Sequence, residues 1–121
     1  MTVEQMRKET AIPVVITDHR GIIIHVNKPF EALFGWTARE ILGKTVTKII
    51  PSQLHDAHNL GFSRFVTTGK PTLLGKPLKL RAIGKSGHEF DAEHFLAAEK
   101  QQGQWIFGAT IRPADSMAED E

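Results

Sequence analysis

Residues 15–36 read VITDHRGIIIHVNKPFEALFGW, an apolar strand, a four-residue turn, a second strand and a capped helix with no residue to spare between them. Asp18, His19, Arg20 and Gly21 supply turn chemistry between Val14, Val15, Ile16 on one side and Ile22, Ile23, Ile24 on the other. Asn27 is a good N-cap for a helix carrying Phe30, Leu33 and Phe34. Pro29 falls in the first turn of that helix, where proline is tolerated.

Outward from this unit, Val3 to Lys8 is spaced as a short amphipathic helix with Val3 and Met6 on one side, and residues 1–10 read as a flanking segment. Downstream, Thr37 and Glu40 form a capping box, Ile41 and Leu42 follow, and Gly43 closes a very short helix. Val46, Ile49 and Ile50 anchor a connector that Pro51 ends. Ser52 is expected to cap a longer helix reaching about Thr68, with Leu54, His58, Phe62 and Phe65 along its core-facing stripe.

Gly69, Lys70 and Pro71 stop that helix, and Leu73, Leu74 and Gly75 lead into a strand with Leu78, Leu80 and Ala82 on one face and Lys79 and Arg81 on the wet one. Gly84 to Gly87 is a hairpin turn, after which Phe90, Ala92, His94 and Leu96 alternate inward. A polar turn at Lys100 to Gly103 returns the chain into a last strand, where Trp105, Phe107, Ala109 and Ile111 share a face. The result is an α+β domain over residues 11–113, with two strands before the helices and three after, and an acidic tail over 114–121 that cannot repay its ordering entropy.

Composition narrows the function classes. Among 121 residues, fifteen basic against fourteen acidic side chains leave a formal charge of +1, so no field draws in nucleic acid or an anionic membrane, and neither is expected as a partner. Without cysteine the chain forms no disulfide, thiolate metal site, cysteine nucleophile or flavin–cysteinyl adduct. The opening MTVEQMRKET lacks the apolar core of a secretory signal, and no run is long enough to span a bilayer, which suits a cytoplasmic protein. No serine sits beside a base and no carboxylate pair is placed for acid and base work, so no enzymatic activity is expected. The run Gly84-Lys85-Ser86-Gly87 lacks the upstream glycine spacing of a phosphate loop.

The turn DHRG, the helix VNKPFEALFGW, the run AREILGKTV and the hairpin IGKSGHEF together resemble a PAS domain over roughly residues 11–113. That resemblance implies a five-stranded antiparallel sheet with helices packed on one face around a small pocket. It also implies a sensory and dimerising role as the input module of a kinase, cyclase, chemoreceptor or transcription regulator, including those of two-component systems. Within the family, HDAHNLGFSRFVTTGKPTLLG is similar to the FixL-type haem subgroup, in which a helix histidine six residues before an arginine ligates iron; here these are His58 and Arg64. The same resemblance puts Arg64 and Thr72 near the haem propionates, Leu73 near the ring, and His94 and Leu96 over the distal side.

The subgroup's oxygen-stabilising arginine falls on Leu78, which offers no donor to a bound gas. His94 would supply that donor or bind iron as a second axial ligand, favouring redox or carbon monoxide sensing. Other readings stand beside haem. His58 and His94 are also explained as satisfied pocket or core histidines, the pocket as a site for another small ligand, and the domain as a cofactor-free homodimerisation module. Phe95 and Ile106, outward on neighbouring strands, motivate the last of these. Zinc at His55, Asp56 and His58 is disfavoured because His55 is expected to face solvent while His58 faces inward. Trp105 and Phe107 read as core, and Lys76, Lys79, Arg81 and Lys85 as a solvated basic edge.

Overall fold

In the computed structural model, which describes residues 1–60 and 75–114, five antiparallel strands form one sheet in the spatial order β2-β1-β5-β4-β3. The strands are β1 (Val14–Thr17), β2 (Ile23–Val26), β3 (Pro77–Ile83), β4 (Glu89–Gln101) and β5 (Gln104–Pro113). Helices α1 (Val3–Lys8), α2 (Lys28–Phe34) and α3 (Ala38–Ile41), two 3₁₀ turns (Val46–Ile49 and Ser52–Leu54) and a helical stretch over residues 55–60 complete the described chain.

The β1–β2 turn forms where its residues place it. The Asp18 carboxylate accepts from the backbone N–H groups of Arg20 and Ile22 at 2.9 and 3.0 Å, and Gly21 takes a φ of +80°, open to glycine without strain. Ile22 leaves the strand to bridge Thr45. The outer edge of β2 is then covered by the segment after α3, through Ile23 N–H to the Lys44 carbonyl at 2.8 Å and Val46 N–H to the Gly21 carbonyl at 2.9 Å. The long β4–β5 hairpin turns on Gln102 and Gly103, whose φ values of 52° and 80° match the twist of the flanking strands.

Each face of the sheet has its own core. On the concave face, Val15, Ala82, Phe90, Ala92, Ala109 and Ile111 pack with Phe30, Phe34 and Ile41 from α2 and α3. The Phe30 and Phe34 rings stack at 4.6 Å, and Phe34 lies 5.5 Å from Phe90. On the other face, Val3 and Met6 of α1 pack on Val14 and Ile16, flanked by Ala97 and Ile106. Helices therefore cover both faces. The reason lies in β1, where Val14 and Ile16 point one way and Val15 the other, so that every residue of the strand is buried. Gly108 makes room for the second core, since a Cβ there would stand 2.6 Å from the Met6 sulfur.

Asn27 joins these parts. Its side-chain oxygen accepts from Phe30 N–H at 3.1 Å, capping α2, and from Val14 N–H at 3.0 Å. Its amide nitrogen donates to the Glu9 and Ile12 carbonyls at 3.1 and 2.8 Å. The Glu9 carboxylate in turn accepts from Ala11 and Ile12 N–H. The cap therefore also clamps the link between α1 and β1.

Two expectations require correction. Ser52 does not cap a continuous helix; a 3₁₀ turn without a side-chain cap spans Ser52–Leu54, because Pro51 precedes it and holds an extended backbone. Leu54 consequently points outward and is 37% exposed. Leu80 lies on the inward face of β3 as its alternation requires, yet is 44% exposed, and of its row only Ala82 is fully buried. Phe62 and Phe65 fall outside the described residues.

Replacing Asn27 with alanine removes a cap and leaves three further backbone groups without partners, so a destabilisation of about 2–4 kcal/mol is expected in urea unfolding. Asn27→Asp retains the acceptor but not the two donated bonds, and its unfolding midpoint should fall between wild type and alanine. Equal midpoints for both variants would remove the clamp from the account.

Candidate functional site

His94 projects from β4 into the concave face, in register with Leu78 on β3 and Ile111 on β5. It is one of three buried polar side chains among the described residues, with Thr17 and Thr110. Its Nδ1 lies 3.2 Å from the Ala92 carbonyl oxygen. A carbonyl only accepts, so Nδ1 carries the proton and Nε2 keeps its lone pair. Burial pulls the His94 pKa below its ordinary value, outweighing the opposite effect of the Ala92 hydrogen bond. The ring is therefore neutral near pH 7, with Nδ1 protonated toward the Ala92 carbonyl and Nε2 unprotonated. Leu96, two residues along on the same face, packs partly buried against the concave core, and Leu78 is half-buried.

His58 lies within the helical stretch 55–60 and is half-buried. Burial is again the main cause of a lowered pKa, with a hydrogen bond donated to the Asn59 side chain opposing it and His55 adding to it. The ring lines a cleft of about 150 Å³ together with Arg20, Gly21, Thr45, Thr47 and Asn59. His55 does not face solvent as expected: it is half-buried, with its Nε2 2.6 Å from the Ile50 carbonyl, because the 3₁₀ turn at Ser52–Leu54 rotates the start of the helix.

Of the predicted site residues, Leu78, His94 and Leu96 are thus brought together on the concave face. His58 lines a cleft with the β1–β2 turn, and among the described residues His94 does not share that cleft. Arg64, Thr72 and Leu73 lie outside the described residues. Local periodicity could not place Arg20, Thr45 and Thr47 beside His58, because the Ile22–Thr45 bridge that brings them there joins segments far apart in sequence.

A second cleft, about 470 Å³, opens between the end of α2 and the β3–β4 turn, lined by Leu33, Phe34, Lys85, His88 and Phe90 among others. Lys85 pairs with Glu40, which holds the Glu40 carboxyl down at about 2, and its ammonium sits 5.5 Å over the Trp36 ring. Arg81 pairs with Asp91 at 3.0 Å and with Glu89 at 3.4 Å. Two of the four cations on the predicted basic edge are thus neutralised. On the outer face, Ile106 packs under α1, while Phe95 is half-buried opposite Thr110.

A strand pair, a helix cluster and a three-strand meander folded around a buried imidazole can now be set against known proteins. The family model for the PAS domain matches residues 11–112. The chain belongs to the PAS domain family. An uncharacterized protein of Azorhizobium caulinodans is 31% identical to it over 100 residues, covering 82% of this chain and 14% of that protein. The sensor protein FixL of Bradyrhizobium diazoefficiens is 29% identical over 90 residues, covering 74% of this chain and 18% of FixL. This PAS domain therefore spans less than a fifth of the curated relatives it matches. A crystal structure of a PAS domain from Colwellia psychrerythraea superposes with a TM-score of 0.66 at 20% identity, covering 81% of this chain and 82% of that one, a likeness of fold alone. No helix among the described residues is long and apolar enough to cross a membrane.

Because the folded pKa of His94 lies below its ordinary value of 6.5, the unfolded chain binds the extra proton first as pH falls. Its contribution to stability is complete above that value and is lost as pH drops below it; His25 and His58, also lowered by burial, act in the same direction. Urea midpoints measured from pH 7.5 down to 5.5 should therefore decline, and His94→Gln should flatten the decline. An unchanged slope in that variant would show that His94 is not buried neutral.

Proposed function

We propose that this PAS domain is the sensory input module of a signalling protein and reports the occupancy of the concave face beside His94. The observation that carries this reading is the buried imidazole of His94, whose Nδ1 lies 3.2 Å from the Ala92 carbonyl oxygen on a strand position in register with Leu78 and Ile111, with Leu96 two residues along the same face. A buried nitrogen base on an apolar wall suits recognition of a small molecule by one directed contact.

Haem is the sharper form of the proposal, supported by the likeness to FixL. By the family resemblance His58 and His94 would hold the iron, with Arg64, Thr72 and Leu73 along the rest of the group, although among the described residues His94 does not share the cleft that His58 lines. Neutral imidazoles are the state in which histidine ligates metal, and a histidine whose other nitrogen donates to a carbonyl is a better ligand for it. When bound, haem would supply an iron responsive to gases or to redox potential. The chain's own residues would then set what the site prefers. Leu78 and Leu96 would present apolar wall, Leu78 offers no cationic donor, and the Ala92 carbonyl would hold the orientation of His94. His94 sits on β4, which pairs with both β3 and β5, so a change in the contacts of its side chain would be felt across the sheet that an effector would read. A second copy is the partner proposed for the outer face, where Phe95 lies two residues from Ala97.

Titration with haemin is expected to give a Soret band at one equivalent. His58→Ala should abolish it, and His94→Ala should shift it to the spectrum of a five-coordinate iron. Protein that takes up no haemin would end the haem form, and native mass spectrometry for another small adduct would then test the broader one.

A further inference from the structure

β2 carries a histidine on the face that α1 covers. His25 stands opposite Ile16 in the β1–β2 pair, so its side chain shares a face with Ile16, which packs under Val3 and Met6. The His25 Nε2 is shut off from solvent and has no hydrogen-bond partner among the described residues. In the neutral ring that nitrogen forfeits one hydrogen bond; in the imidazolium it carries a charged N–H with no acceptor, a far larger cost. Its charged neighbour is of the wrong sign. Among Glu4, Arg7 and Lys8 of α1, Arg7 is the one that acts on the ring, and burial followed by the Arg7 guanidinium holds the His25 pKa below 6.5. β1 brings no titratable group, since Val14–Thr17 reads VVIT. The charged residue of the segment along the other edge of β2 is a further cation, Lys44. Among the described residues no carboxylate acts on His25.

We propose that His25 is a proton-operated latch for α1: neutral, it lets the helix lie on the sheet, and protonated, beside Arg7 and without an acceptor, it releases the helix and gains water while the sheet stays folded. The two sides of this contact are held unequally. β2 is bonded to β1 on one edge and to Gly43 and Lys44 on the other, whereas α1 is six residues long, too short to persist as a helix away from the sheet. Docking is complete above the ordinary histidine value and weakens as pH falls below it, because the released chain binds the proton more tightly. One proton is taken up, so the ratio of released to docked helix rises at most about tenfold for each unit of pH. The latch needs no occupant on the concave face.

The test uses the whole chain with ¹³C-methyl methionine, followed from pH 7.5 to 5.5, a range above that of ordinary carboxylates. The Met6 methyl, seated against Gly108 and assigned through Met6→Leu, is expected to move toward the position of an exposed methionine as pH falls. Amide-exchange protection should be lost over Val3–Lys8 and kept over β5. His25→Leu, neutral at every pH, should abolish the movement, and Arg7→Gln, which takes away the like charge, should reduce it. His94→Gln should leave it intact, which separates the latch from the reading of the concave face. A Met6 methyl that stays in place down to pH 5.5, a movement that survives His25→Leu, or protection lost together over α1 and β5 overturns the proposal. Where His25→Leu disturbs the sheet, a movement in Arg7→Gln as large as that of wild type overturns it too.

Discussion

The carboxamide of Asn27 holds four stretches of backbone at once: the first turn of α2, the start of β1, and the carbonyls of Glu9 and Ile12. Few side chains offer two acceptor lone pairs and two donors from one rigid plane. Asn27 uses all four, and both cores depend on it. The concave core needs α2 at the angle that sets Phe30 and Phe34 against Phe90. The outer core needs the chain to leave α1 at Glu9 and enter β1 at Val14 with no slack.

Much of this was legible in the sequence because it rests on local chemistry. The turn at Asp18–Gly21, the cap at Asn27 and the box at Thr37 and Glu40 each satisfy backbone groups within a few residues. The inward row Phe90, Ala92, His94 followed from alternation, and the register set by a two-residue turn at Gln102–Gly103 preserves it. The edge at Leu80 and the 3₁₀ turn after Pro51 were not legible, since neither is dictated by neighbours in sequence. Nor did any pattern show which surface α1 would cover. Val3 and Met6 announced an apolar side, but Gly108, the residue that admits them, reads in sequence only as a glycine within a strand.

The site was legible in half. His94 followed from strand period, and Leu78 and Leu96 with it. The carbonyl that fixes its tautomer belongs to Ala92, whose side chain carries no chemical signal. The surroundings of His58 are set by a bridge between Ile22 and Thr45, with β2, α2 and α3 between them in sequence, so the motif that drew attention to His58 did not show its neighbours.

On β5, Gly108 touches Met6 while Ala109 and Ile111, one and three residues later, line the wall that holds His94. Successive residues of a paired strand move together, so if the proposed ligand shifted the inner row, Gly108 beneath Met6 would move with it. The first helix thus rides on the sheet as a stylus on a groove, and whatever chain is joined ahead of it would feel the displacement without any contact to the ligand itself.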